Sequence, residues 1–306
     1  MVKYNCELCG KRFPRKSQYN SHIKLKTCIN KSVVKTGLKR KTNDKFYTSE
    51  TVVNECIKSI KKTLDIKTDD WCIEPSAGNG SFIDGLKTLF KNCKFYDLEP
   101  ENKEIIKQDY LDYDYHNSII KNPNSKVHIV GNPPFGRQSS LAIKFIKKSV
   151  TYCDSISFIL PKSFKKESLK KHFPLNFHLV YEYDLPVNSF IVDNKEHDVP
   201  CVFQIWIKKD IHRKVATKLI PKNYKFVKKD EIHDISFRRV GFNAGDIYKE
   251  TSSKSKQSHY FIKFDNELTE ELFTKLKNIE YECKNNTCGP KSISKQELMK
   301  EFNKLT

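Results

Sequence analysis

Long apolar runs are missing from this sequence of 306 residues: no window of about 18 apolar residues occurs, which excludes a membrane-crossing helix. An apolar leader is missing too, because Lys3, Cys6, Glu7 and Cys9 interrupt the first positions. The expectation is an intracellular protein, cytoplasmic or nuclear, in a compartment that keeps thiols reduced. The ten cysteines then read as metal ligands or small buried apolar residues and not as a disulfide framework. Glycine is scarce, at ten residues. Acidic charge is short as well: 37 Asp and Glu stand against 56 Lys and Arg, a formal net charge of +19. That surplus calls for an acidic partner, nucleic acid ahead of an anionic membrane surface. No Ser/His/Asp or two-His-one-carboxylate site emerges, since His116, His128, His172, His178, His197, His212, His233 and His259 are scattered over different segments. A disordered chain is excluded by 20 Phe and 14 Tyr within a hydrophobic content of 38%.

The basic charge is concentrated at the start, where residues 1–45 hold 13 Lys and Arg against only Glu7 and Asp44. Within that stretch Cys6, Cys9, His22 and Cys28 follow the spacing C-x2-C-x12-H-x5-C, which can close a tetrahedral zinc site from a hairpin and a helix. Tyr4, Phe13 and Tyr19 fall where the ββα zinc fingers place their small core, so residues 1–30 resemble that family with cysteine as the fourth ligand. Arg12, Arg15 and Lys16 lie around the start of the expected helix, where such fingers meet nucleic acid. One finger covers about three base pairs, too few for an address, so a grip on the backbone is favoured over sequence reading. Residues 31–44 are basic and aperiodic, a linker.

From residue 45 the pattern turns to alternating strands and helices, the mark of a parallel sheet covered on its faces. The first strand-turn-helix unit reads WCIEPSAGNGSFIDGLKTLF, in which Gly78 and Gly80 let the backbone approach a ligand at the strand's C-terminal end. The spacing differs from G-x-G-x-x-G, and no Lys-Ser/Thr pair follows, which disfavours both a dinucleotide fingerprint and a P-loop. The second strand, CKFYDLEP, ends in Asp97, placed to take the two hydroxyls of a ribose. A third short strand leads to Asp109, a possible acceptor for an adenine amino group, and the fourth runs into VGNPPFG. Two successive prolines there fix φ and donate no hydrogen bond, so the turn is stiff.

Four strand ends in this order resemble the S-adenosylmethionine-dependent adenine-N6 methyltransferases over roughly residues 45–210. The motifs appear as EPSAGNG (Glu74, Pro75, Ser76, Ala77, Gly78, Gly80), YDLEP (Asp97, Leu98), QDY (Asp109, Tyr110) and NPPF (Asn132, Pro133, Pro134, Phe135), with Tyr47 and Thr48 resembling the family's N-terminal cofactor-contact segment. The resemblance implies a Rossmann-like class I α/β fold: a seven-stranded, mostly parallel sheet with helices on both faces. It also implies S-adenosylmethionine held by those residues and by Asn132, with zinc in the finger. Asn132 and the Pro133 carbonyl would accept hydrogen bonds from the adenine amino group, and Phe135 would stack on a flipped-out base. Asn188 and Phe190, in a polar loop between the sixth and seventh strands, are candidates for touching the nucleic acid. Residues 211–306 read as a basic, weakly patterned extension suited to nucleic-acid recognition.

DNA is preferred over RNA because of the finger and the EPSAGNG motif. NPPFG in RNA adenine methyltransferases, and the absence of a large recognition region, point the other way. An inactive scaffold that binds nucleic acid is the alternative of a different class, and the residues set no oligomeric state.

Overall fold

The computed structural model describes residues 4–5, 12–13, 16–24, 46–115, 122 and 124–306, with only the backbone of residues 5, 12 and 21–24. The chain divides into two units, Met1–Lys45 and Phe46–Thr306. In the first, β1 (Tyr4–Asn5) pairs antiparallel with β2 (Arg12–Phe13) and is followed by helix α1 (Lys16–Lys24). The Tyr19 ring lies 6.1 Å from both Tyr4 and Phe13, stacked on one and edge-on to the other. Three aromatic rings thus form the small core that a ββα unit needs.

The second unit is built on a sheet of seven strands. In chain order these are β4 (Trp71–Glu74), β5 (Asn92–Asp97), β6 (Ile106–Lys107), β7 (Val127–Gly131), β8 (Ser155–Pro161), β9 (Phe177–Asp184) and β12 (Cys201–Lys208). Their spatial order is β6-β5-β4-β7-β8-β12-β9. The pairs among β6, β5, β4, β7 and β8 are parallel, and β12 alone runs antiparallel to both its neighbours. This is the Rossmann-like, seven-stranded and mostly parallel arrangement that the sequence leads one to expect.

The strands alternate between two cores. Cys72, Val130, Ile159 and Phe203 face α2 (Glu50–Thr63) and α3 (Ile83–Leu89), while Ile73, Ile129, Phe158 and Val202 face α4 (Ser140–Ser149). A period of two that buries both faces explains why these strands read as continuous apolar runs. In α2, Val52, Val53, Cys56 and Ile60 recur at helical spacing and are all buried.

A three-stranded antiparallel sheet flanks this one: β3 (Tyr47–Thr48) pairs with β10 (Phe190–Val192), which pairs with β11 (Lys195–His197). A further antiparallel sheet, β13 (Tyr224–Val227), β14 (Ile235–Arg238), β15 (Ile247–Tyr248) and β16 (His259–Phe264), has the order β13-β16-β14-β15. Its core is separate: Phe237, Ile262 and Phe264 pack with Leu276 of α6 (Glu270–Lys277) and with Leu298 and Phe302 of α7 (Lys295–Phe302). Residues 211–306 are therefore more regular than their sequence pattern suggests. Helix α7 opens on a capping box, Ser294 and Glu297 each bonding the other's backbone.

Candidate active site at the sheet rim

The strand order reverses between β4 and β7, so the crevice at a switch point lies between their C-terminal ends. The Glu74–Gly80 turn follows β4 and Asn132–Phe135 follows β7, which brings the two motifs to opposite sides of that crevice. The turn after β4 is tied to the end of β5: the Gly78 N–H donates to Asp97 Oδ2 at 2.8 Å and the Ala77 N–H to the Tyr96 carbonyl at 2.9 Å. Asp97 Oδ1 accepts from the Glu99 N–H at 2.8 Å. Each carboxylate oxygen keeps a further lone pair. Gly78 adopts φ +55°, and a Cβ there would stand 3.2 Å from the Tyr47 ring. The left-handed backbone favours glycine, and a side chain there would press on the Tyr47 ring as well.

Phe46, Tyr47 and Thr48 form a strap across this rim. The Tyr47 hydroxyl donates to Glu101 Oε1 at 2.6 Å. The Asn132 side-chain NH2 donates to the Phe46 carbonyl at 3.2 Å and to Thr48 Oγ1 at 3.3 Å. These two acceptors fix which way the amide points and leave Asn132 Oδ1 without a protein partner among the described residues. Ser76 Oγ donates to the Asn132 carbonyl at 3.2 Å, joining the two sides of the crevice. Pro133 is buried, Pro134 exposed, and the half-buried Phe135 ring packs against both cores. Immediately after this turn, Gln138 (φ 53°) and Ser139 (φ 62°) are both left-handed, a strain of about 1–2 kcal/mol per residue.

Glu74 is 2% exposed and its Oε2 has no hydrogen-bond partner. Burial, with further contributions from the nearby Asp97 and Cys93, holds its carboxyl well above the ordinary carboxylate range. A buried carboxyl with a vacant acceptor suits a cationic group. Leu98, beside Asp97, is 61% exposed and offers an apolar flank. The orphaned Glu74 oxygen, the left-handed turn at Gly78 and the Asp97 lone pairs therefore fit S-adenosylmethionine, a cation carrying a ribose and an adenine.

Other expected residues are placed differently. The Tyr110 side chain does not open on the rim: it is 1% exposed, with its hydroxyl 2.7 Å from Ser149 Oγ and 2.5 Å from the Tyr152 hydroxyl. Its ring fills the core on the α4 side, and only Asp109 stays at the turn, where its Oδ1 caps the Leu111 N–H at 2.9 Å. Phe190 is likewise 1% exposed, packed edge-on to Phe46, so its ring is structural and not available to nucleic acid. Asn188 is exposed, with φ 59°. In the first unit Lys16 is exposed on α1. The side chains of Arg12 and His22, and all of Cys6, Cys9, Arg15 and Cys28, lie outside the described residues.

The roles of Phe46, Ser76 and Glu101 as props were not legible in the sequence. Their partners lie 54 to 86 positions away and no local pattern marks them.

A family model described as a zinc-finger of C2H2 type matches residues 4–24. Its span takes in Cys6, Cys9 and His22 and stops before Cys28. No curated protein matches the chain. Among solved structures, the 23S rRNA methyltransferase ErmE is similar at 13% identity over 55% of this chain and 71% of that chain, with a TM-score of 0.40. A type I restriction-modification system methyltransferase subunit from Streptococcus thermophilus is similar at 15% identity over 54% of this chain and 45% of that one, TM-score 0.40. An rRNA methylase from the same organism matches at 13% identity over 51% of this chain and 94% of that chain, TM-score 0.33.

Proposed function

We propose that the chain is an S-adenosylmethionine-dependent methyltransferase acting on the N6 amino group of adenine in nucleic acid, with DNA preferred over RNA. The observation that carries this reading is the fixed Asn132 amide, whose NH2 is committed to the Phe46–Thr48 strap and whose Oδ1 remains free to accept. An exocyclic adenine nitrogen is a poor nucleophile because its lone pair is delocalised into the ring. Asn132 Oδ1 and the Pro133 carbonyl, held by two prolines, would accept hydrogen bonds from its two N–H groups and favour a more tetrahedral nitrogen with its lone pair directed outward. Preorganisation means that little has to move at reaction. Phe135 would stack on the flipped base, worth about 1–3 kcal/mol against the cost of unstacking.

S-adenosylmethionine supplies the electrophilic methyl on a positively charged sulfur. Gly78, Gly80, Asp97, Leu98 and Asp109 would hold its adenosine end, and Glu74 would face one of its cationic centres. In this reading residues 1–30 are a finger closed on zinc by Cys6, Cys9, His22 and Cys28, 31–44 a linker, 45–210 the catalytic domain, and 211–306 a recognition region.

The test is transfer of labelled methyl into duplex DNA, single-stranded DNA and RNA, followed by nucleoside analysis. N6-methyladenine in the DNA is the expected product. Label found only in RNA would reassign the substrate, and label on another base, or on protein, would refute the adenine chemistry.

A further inference from the structure

We infer that the C-terminal module carries a second nucleic-acid site, a lysine-lined groove that holds single-stranded backbone beside the target nucleotide. The inference rests on nucleic acid being the substrate and adds where the strand runs. The distribution of charge raises the question. Residues 46–210, which include the rim crevice, hold 23 Lys and Arg against 22 Asp and Glu, whereas residues 211–306 hold 20 against 13. A nearly neutral rim region gives little general attraction to a polyanion, so cations elsewhere must supply it.

A groove of about 440 Å³ opens where β13 ends and β16 begins. Phe226, Lys228, Lys229, Lys256, Tyr260 and Lys295 line it, with Asp230 as its one acidic residue. Among the described residues, Lys228, Lys256 and Lys295 make no ion pair, while Lys162 and Lys165, just beyond the end of β8, are paired with Asp184. Lys229 donates to the Ser252 carbonyl at 2.9 Å. Lys295 Nζ stands 4.3 Å from the centre of the Phe226 ring and 5.6 Å from that of Tyr260. Both rings are half-buried.

Tyr260 is stacked on Phe237 and flanked by Arg239 and Lys295, so it forms the groove wall and leaves Phe226 as the ring that can meet a base. Lysines free of ion pairs beside that half-buried ring match a strand that presents phosphates and flat bases alternately. Duplex DNA keeps its base faces stacked, so the Phe226 ring favours a single strand. Of Arg238 and Arg239, the basic pair most conspicuous in the sequence of this region, Arg238 is committed to the Val240 carbonyl through Nε at 2.8 Å, while Arg239 bonds the Gln257 carbonyl at 2.8 Å and backs the groove wall 5.6 Å from the centre of the Tyr260 ring.

The module is fastened to the rim end of β8. Lys166, just beyond that strand's end, donates to the Ser292 carbonyl at 2.7 Å and lies 3.3 Å from Glu297 at the start of α7. Lys295 belongs to the same turn. This contact ties the segment that carries Lys295 to the chain just beyond β8 at the sheet rim.

The test uses the full chain, a fluorescent 20-mer single strand and the corresponding duplex, with affinity followed by anisotropy across salt concentrations. Lys228→Gln combined with Lys256→Gln removes two cations that hold no other residue in place. Single-strand affinity at low salt should fall about tenfold or more, and the salt slope should become shallower by about 1.4, near 0.7 per lost phosphate contact. Melting temperature and S-adenosylmethionine affinity should stay unchanged. An unchanged slope in a protein that methylates nucleic acid overturns the groove alone. Equal losses for strand and duplex, or full competition by polyglutamate, overturn its assignment to single strands. If the wild type transfers no methyl yet its strand binding weakens in the double variant, the groove stands and the enzymatic reading fails.

Discussion

Thr48 and Glu74 give the account its sharpest tests at the scale of single residues. Thr48 is buried and its hydroxyl accepts one of the two Asn132 hydrogen bonds. Thr48→Val keeps the shape and removes the acceptor, a loss of about 1–1.5 kcal/mol, so kcat at saturating S-adenosylmethionine should fall about tenfold. Thr48→Ser should restore turnover; a serine variant as slow as the valine one would mean that Thr48 acts by packing alone.

Glu74 bears on pH. Its carboxyl is held well above the ordinary value of 4.5 in the folded protein, so the folded state keeps a proton that the unfolded chain releases. Stability of the cofactor-free protein must therefore decline as pH rises from the ordinary carboxyl range toward the raised folded value. Glu74→Gln should melt higher than wild type at pH 7, melt at the same temperature at pH 4, and bind S-adenosylmethionine more weakly. A variant that melts lower at pH 7 would show that the carboxylate is already ionised and satisfied.

Among the elements, β3 and β10 were the hardest to foresee. Tyr47 and Thr48 are readable as a contact segment, but a two-residue strand completed by a partner at 190–191 leaves no periodic signature. The same holds for Phe190, whose place in a polar loop suggests exposure although its ring is in the core. By contrast β4, β7, β8 and α2 were legible, since each buries an unbroken face and its apolar period survives in the chain. The Asn132, Gly78 and Asp97 positions were legible because strand ends fix them locally. The props that orient them were not. Phe190→Ala should destabilise the protein by about 3–5 kcal/mol in thermal or urea unfolding. A variant of normal stability with weakened nucleic-acid binding would return Phe190 to the role first expected of it.

At the scale of the whole molecule, charge and chemistry are separated. The crevice lies in a stretch with nearly equal numbers of acids and bases, and the surplus of cations lies before and after it. Deleting residues 1–45, which carry 13 Lys and Arg against two acids, should lower nucleic-acid affinity and flatten its salt dependence. Cofactor affinity should persist, because every residue of the crevice lies in the unit Phe46–Thr306. Unaltered salt dependence would move the finger from gripping backbone to contacting protein.

The central claim is that Asn132 acts on the adenine amino group and not as a structural corner. Single-turnover methyl transfer by Asn132→Ala, with S-adenosylmethionine affinity measured on the same preparation, tests it most directly. Transfer should fall by at least a hundredfold while S-adenosylmethionine still binds. Transfer at the wild-type rate would contradict it.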